Sequence, residues 1–161
     1  MIQRIQTVYL ALASIALIIL FFVPIAFFGG TLQSIVNLEF YIYQLKDLVP
    51  GATPLFPSWF AQPLALLVGI IILVNLKSIF LYKNRTKQIS HVKVNIFLTM
   101  LLIVAILFVY INLIERKAGV KPDYHGALGI YLPISALILI VLAYRSIMRD
   151  EKLVRSADRL R

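Results

Sequence analysis

Cysteine is absent from the 161 residues, and that excludes disulfides, thiolate metal sites and thiol redox chemistry. Acidic residues are scarce: seven Asp and Glu stand against sixteen Lys and Arg, giving a formal charge of +9. Those carboxylates are scattered, with Glu39, Asp47, Glu115 and Asp123 in two polar stretches and Asp150, Glu151 and Asp158 near the end. No pair of them is embedded where burial would tune it for acid–base work. Ser14 and Ser135 have no general base near them in sequence. The chain therefore offers no catalytic constellation.

Four stretches lack charge altogether. Val8–Phe28, Trp59–Leu76, Val94–Ile114 and Gly126–Tyr144 contain no Asp, Glu, Lys, Arg or His. A helix needs roughly 20 apolar residues to cross the hydrocarbon core of a bilayer, and each run approaches that length. With 61% hydrophobic residues, the expectation is an all-α membrane protein, an antiparallel four-helix transmembrane bundle forming one domain over 1–161. The spans are placed at about 8–28, 59–82, 94–114 and 126–147. The first is expected to be a retained span, because it exceeds the roughly 7–15 residues of a signal core and no Ala-x-Ala site follows it. Gly29-Gly30 reads as its exit, with Pro24 kinking or ending the helix.

The cations set the orientation. Arg4, Lys77, Lys83, Arg85, Lys87, Lys93, Arg145, Arg149, Lys152, Arg155, Arg159 and Arg161 fall on one side, and only Lys46, Arg116, Lys117 and Lys121 on the other. Basic residues gather in cytoplasmic segments, so both termini and the loop 83–93 are expected in the cytoplasm of a bacterial inner membrane. The same rule accounts for the net charge, and nucleic acid is not an expected partner. External loops are then 29–58 and 115–125, with a cytoplasmic basic tail at 148–161.

The first external loop carries the one strand signal. From Thr31 to Tyr43, Leu32, Ser34, Val36, Leu38, Phe40 and Ile42 alternate with more polar partners. Period-two alternation predicts a small extracytoplasmic β-hairpin-like cap between the first two spans. Pro50, Gly51, Pro54 and Pro57 then hold the chain extended. In the fourth span, Ser135 is placed to satisfy a carbonyl that Pro133 leaves unpaired.

Within the spans the polar residues are Ser14, Asn75, Ser78, Asn95, Thr99, Asn112 and Ser135. They are read as interhelical hydrogen-bonding groups, the alternative being a polar cavity lined by the asparagines. Gly69, Ala65 and Gly129 offer close-approach faces. Asp123-Tyr124-His125 is a weak surface constellation, since two adjacent ligand types fall short of a metal's usual four. His91 and His125 are expected on opposite faces, so no metal or cofactor is expected. The tail has no Gly or Pro, so the fourth helix is expected to run on, with Leu153, Ala157 and Leu160 as an apolar stripe and Glu151 four residues before Arg155.

The opening Met1–Leu10 (MIQRIQTVYL) and closing Asp150–Arg161 (DEKLVRSADRLR) resemble the end motifs of a family of small four-span inner-membrane proteins of the Bacteroidetes, catalogued as a domain of unknown function. The resemblance covers the whole chain and implies a bacterial inner-membrane setting, with no activity attached. The expectation is a non-catalytic accessory subunit or assembly factor of a larger membrane complex. Its docking residues, for protein partners or anionic lipid at the cytoplasmic face, are Gln3, Arg4 and Gln6 at one end and Arg149, Lys152, Arg155, Asp158 and Arg159 at the other. Of these, Gln3, Arg4 and Gln6 are expected to meet Arg155, Asp158 and Arg159, or to form a partner-docking surface together with them. The alternatives are a small transporter or channel, and a membrane enzyme with a surface site near Asp123–His125.

Overall fold

A computed structural model describes residues 3–29, 37–49, 54–118 and 123–159, with backbone alone for 3, 4, 83, 123–125 and 154–159. Helices α1 (Gln3–Ile19), α2 (Gln62–Phe80), α3 (Arg85–Val104) and α5 (Tyr131–Arg159) form an antiparallel ring in which α1 touches α2 and α5, and α3 touches the same two. A π-helical turn at Ala105–Tyr110 joins α3 to α4 (Ile111–Ala118), so one helical rod runs from Arg85 to Ala118. Among the described residues, three helical segments are long and apolar enough to cross a membrane: Gln62–Phe80, Arg85–Ala118 and Leu128–Leu153. The apolar part of α1, Ile5–Ile19, is shorter.

Each helix earns its place by a stripe at three- and four-residue spacing. On α1 it is Leu10, Ala13 and Leu17, continued by Leu20 in the turn that follows; on α5 it is Ala136, Ile140, Ala143 and Ile147. All are buried, while Ile15, Leu66, Leu73, Phe97, Met100 and Ile138 point outward. Large apolar side chains both inside and outside are the pattern of helices solvated by lipid. There, close packing and interhelical hydrogen bonds hold the helices, since lipid tails are as apolar as leucine.

At the end away from the termini lies a four-stranded antiparallel sheet in the order β3-β2-β1-β4. Its strands are β1 (Ala26–Gly29), β2 (Asn37–Phe40), β3 (Leu45–Asp47) and β4 (Asp123–Gly126). The alternation expected around β2 is present over the described residues, with Leu38, Phe40 and Ile42 buried and Asn37 and Tyr43 exposed. Residues 31–36 of that prediction lie outside the described residues. The sheet is larger than the expected hairpin. Phe27 pairs with Glu39 on one side and His125 on the other, so a piece of the first apolar run becomes a central strand.

That run is helical only to Ile19, and its expected extent to Phe28 is corrected. Phe21 and Phe22 donate to Ile18 and Ile19 in a tightening last turn, and Pro24 follows with no N–H to continue the ladder. The chain then extends, and Ala26 and Phe28 still bury their side chains, against the sheet's inner face. Apolarity was conserved while the period changed. A second correction concerns 83–93: only Asn84 interrupts the helices, and α3 already starts at Arg85. Nothing in 85–93 breaks a helix, and polarity alone did not make it a loop. A third concerns Pro133, which sits in the first turn of α5, where its missing N–H has no intrahelical role. Ser135 donates to the Leu132 carbonyl at 2.8 Å.

Candidate functional site

The inward stripes change character toward the termini. On α1 the last step is Gln6; on α2 it is Asn75 and Ser78; on α3 it is Gln88, Asn95 and Thr99; on α5 it is Asp150. All are buried. The core near the sheet, by contrast, is built from Leu20, Ile25, Phe28, Phe40, Leu64, Ile106 and Ile114. The bundle thus has a greasy half under the sheet and a polar half near its ends.

Two clusters organise the polar half. Between α1 and α5, the Gln6 amide donates to the Asp150 carboxylate, and Arg85 Nη1 donates to the Asp150 carbonyl oxygen at 3.3 Å. This brings the start of α1, the start of α3 and the end of the apolar part of α5 to one point. Between α2 and α3, Asn95 donates to Asn75 Oδ1, leaving Asn75 Nδ2 and Asn95 Oδ1 buried without a partner. Gln88 Nε2 donates to the Ser78 carbonyl at 3.0 Å, satisfying one of the carbonyls orphaned at the end of α2.

The other expected polar residues serve their own helices. Ser14, Ser78 and Thr99 each donate to the carbonyl four residues back. Asn112 is exposed and bonds the Phe108 carbonyl at 2.9 Å, within the π-helical turn. Of the small residues, Gly129 is a true close approach: its N–H donates to the Pro24 carbonyl at 3.0 Å, whereas nothing lies within 4 Å of Gly69's missing Cβ.

The docking residues expected from sequence divide. Gln6 is buried, so it binds Asp150 and is unavailable to a partner, while Arg149 and Lys152 are exposed on α5. Gln3 and Arg4 start α1, and Arg155, Asp158 and Arg159 extend α5, but their side chains lie outside the described residues. The start of α1 does contact α5, but through Gln6 and Asp150, a residue outside the two groups expected to meet. Leu153 is half exposed, because the inward stripe of α5 runs through Ile147 to Asp150. Counting on from Ala136, Ile140 and Ala143 in the same steps finds Asp150 from sequence. His91 lies on α3 with its ring Nδ1 2.8 Å from the Lys87 carbonyl oxygen, and Asp123–His125 forms the backbone of edge strand β4. No group of three potential metal ligands occurs among the described residues.

Under the sheet, aromatic rings join the two layers. Tyr110 lies 4.9 Å from Phe60 and 6.1 Å from Phe40 between ring centroids, and Phe56 stacks on Phe60 at 4.0 Å. Lys117 Nζ sits 4.3 Å over the Phe56 ring. This cluster anchors the cap to the bundle.

Fold and site together define a mostly helical chain with long apolar helices, a polar junction at its termini and a small sheet at the far end. The chain belongs to the family described as Domain of unknown function (DUF4293), whose profile matches residues 2–160. No curated protein matches it.

Proposed function

We propose that the protein is a non-catalytic accessory subunit or assembly factor of a larger bacterial inner-membrane complex. In this reading four antiparallel spans cross the bilayer, both termini face the cytoplasm and the sheet lies outside. The first span combines α1 with the apolar residues that follow it. The observation that carries the reading is the junction at Asp150, which joins α1, α3 and α5 at one end through hydrogen bonds. Around it the exposed or half-exposed Arg85, Lys87, Arg145, Arg149 and Lys152 form a cationic rim. A charged rim over a helical scaffold suits docking.

The test is purification of the tagged full-length protein from its native membrane in mild detergent. A stoichiometric membrane-protein partner that falls in abundance when this chain is deleted supports the reading. Recovery of a lone, stable monomer, with no other membrane protein depleted on deletion, overturns it. The second reading, a small transporter or channel, draws on the unpartnered amide atoms of Asn75 and Asn95. It calls for solute flux in proteoliposomes that an Asn75→Leu, Asn95→Leu double variant abolishes.

A further inference from the structure

The charges of α5 sort by face. At 100° per residue, Arg145, Arg149 and Lys152 fall within an arc of about 60°, with Asp150 and Glu151 about 100° beyond its two edges. Asp150 is buried, with its carboxylate bound by Gln6. Glu151 lines a cleft with Asn84, Arg85 and Lys87, toward α3. The cationic arc therefore carries three positive charges and no acid of its own.

Beside this arc a groove of about 500 Å³ runs between α1 and α5, lined by the apolar Ile5, Tyr9 and Leu142 and by Arg145 and Arg149. Asp150 contributes to its lining, already engaged by Gln6. A second cleft of about 620 Å³ continues over Met148 and Lys152 and shares both arginines. Arg145 is the first cation after the charge-free run that ends at Tyr144, so the change from apolar to cationic wall falls at headgroup depth.

We propose that this groove holds one anionic phospholipid, its phosphate between Arg145 and Arg149 and an acyl chain running inward along Tyr9 and Leu142. The inference rests on the membrane placement proposed above. The two guanidinium groups are one helical turn apart, about 6 Å along the axis, which suits two donors flanking one phosphate. The charge balance sets the selectivity. A zwitterionic headgroup brings an ammonium for which the one carboxylate lining the groove, Asp150, is already engaged by Gln6, whereas phosphatidylglycerol brings a net negative charge to two arginines. Fixed in this way, the lipid would seal the α1–α5 seam beside the Gln6–Asp150 contact.

The experiment is native mass spectrometry of the full-length protein titrated with phosphatidylglycerol or phosphatidylcholine in detergent. One phosphatidylglycerol adduct is expected to persist, with weaker phosphatidylcholine binding. An Arg145→Gln, Arg149→Gln double variant is expected to lose about thirtyfold in phosphatidylglycerol affinity. Lys87→Gln, on the α3 side, is expected to leave it unchanged, and inorganic phosphate is expected not to compete. Equal affinity for the two lipids, an undiminished double variant, competition by phosphate alone, or a dimer cross-linked through Arg149 overturns the proposal. Protease accessibility of the tail from only the cytoplasmic side reports placement separately, so a correctly inserted protein without lipid selectivity refutes this site and leaves the accessory reading standing.

Discussion

Single residues show where the fold has slack and where it has none. A Cβ added to Gly129 would stand 2.4 Å from the Pro24 carbonyl oxygen, an atom of a fixed backbone, while Gly69 has open space around it. Gly129→Ala is therefore expected to cost about 1–3 kcal/mol through forced backbone shifts. Gly69→Ala is expected to be neutral or to stabilise by up to about 1 kcal/mol, because it removes a helical glycine. Thermal unfolding of both variants in the same detergent checks the contrast; equal midpoints would contradict it. Tyr41 offers a second probe. The local loss of hydration, followed by the charge and hydrogen bond of Glu39 3.2 Å away, holds its phenol above the usual value of 10.0. A pKa raised on folding means its stabilisation is complete below the unfolded value and fades as pH climbs through the folded one. Glu39→Gln is expected to lower the Tyr41 titration midpoint, read by NMR of the ring carbon bearing the hydroxyl.

Elements were legible in sequence to the extent that their period was unbroken. The bodies of α2, α3 and α5 were legible as charge-free apolar runs, and the buried face of β2 as an alternation, whereas the inward faces of α2 and α3 were not, since Asn75, Ser78, Gln88, Asn95 and Thr99 make up much of them. What was hidden is the change of period inside one apolar run: Leu20–Phe28 is as hydrophobic as any membrane segment, yet Pro24 and two available strand partners turn its end into β1. Strand β4 was equally hidden, since four residues of DYHG show no alternation by themselves. The Asn75–Asn95 contact was foreseen as a class of interaction, but which asparagines pair depends on helix rotation. A double-mutant cycle with leucine at both positions is expected to give a coupling of about 0.6–2 kcal/mol. Additive effects of the two substitutions, measured by denaturant unfolding in micelles, would show that the contact carries no energy. Gln6→Leu is expected to destabilise by about 1–3 kcal/mol, since it strands the buried Asp150 carboxylate. Gln6→Leu combined with Asp150→Leu is expected to recover part of that loss, because an apolar pair leaves no group unsatisfied.

At the scale of the molecule, the polarity of the core and the distribution of cations point the same way. The buried amides and Asp150 occupy the half nearest the termini, where Arg85, Lys87, Lys93, Arg145, Arg149 and Lys152 also sit, and the described cations at the sheet end are Lys46, Arg116 and Lys117. Water reaches helix ends more readily than helix centres, so buried polar groups cost least there, and the positive-inside rule is the basis of the proposed cytoplasmic placement of the richer end. The same absence of cysteine that removed redox chemistry makes this orientation simple to test. A cysteine at Lys46 in the sheet, or at Lys152 on α5, would be the sole thiol in the chain. In intact spheroplasts, a membrane-impermeant maleimide is expected to label Lys46→Cys at once and Lys152→Cys only after permeabilisation. Labelling of both before permeabilisation would mean an even number of crossings fails to separate sheet from tail, and the reverse order would invert the topology. Either result would move the cationic groove to the wrong leaflet and withdraw the basis for a cytoplasmic docking face.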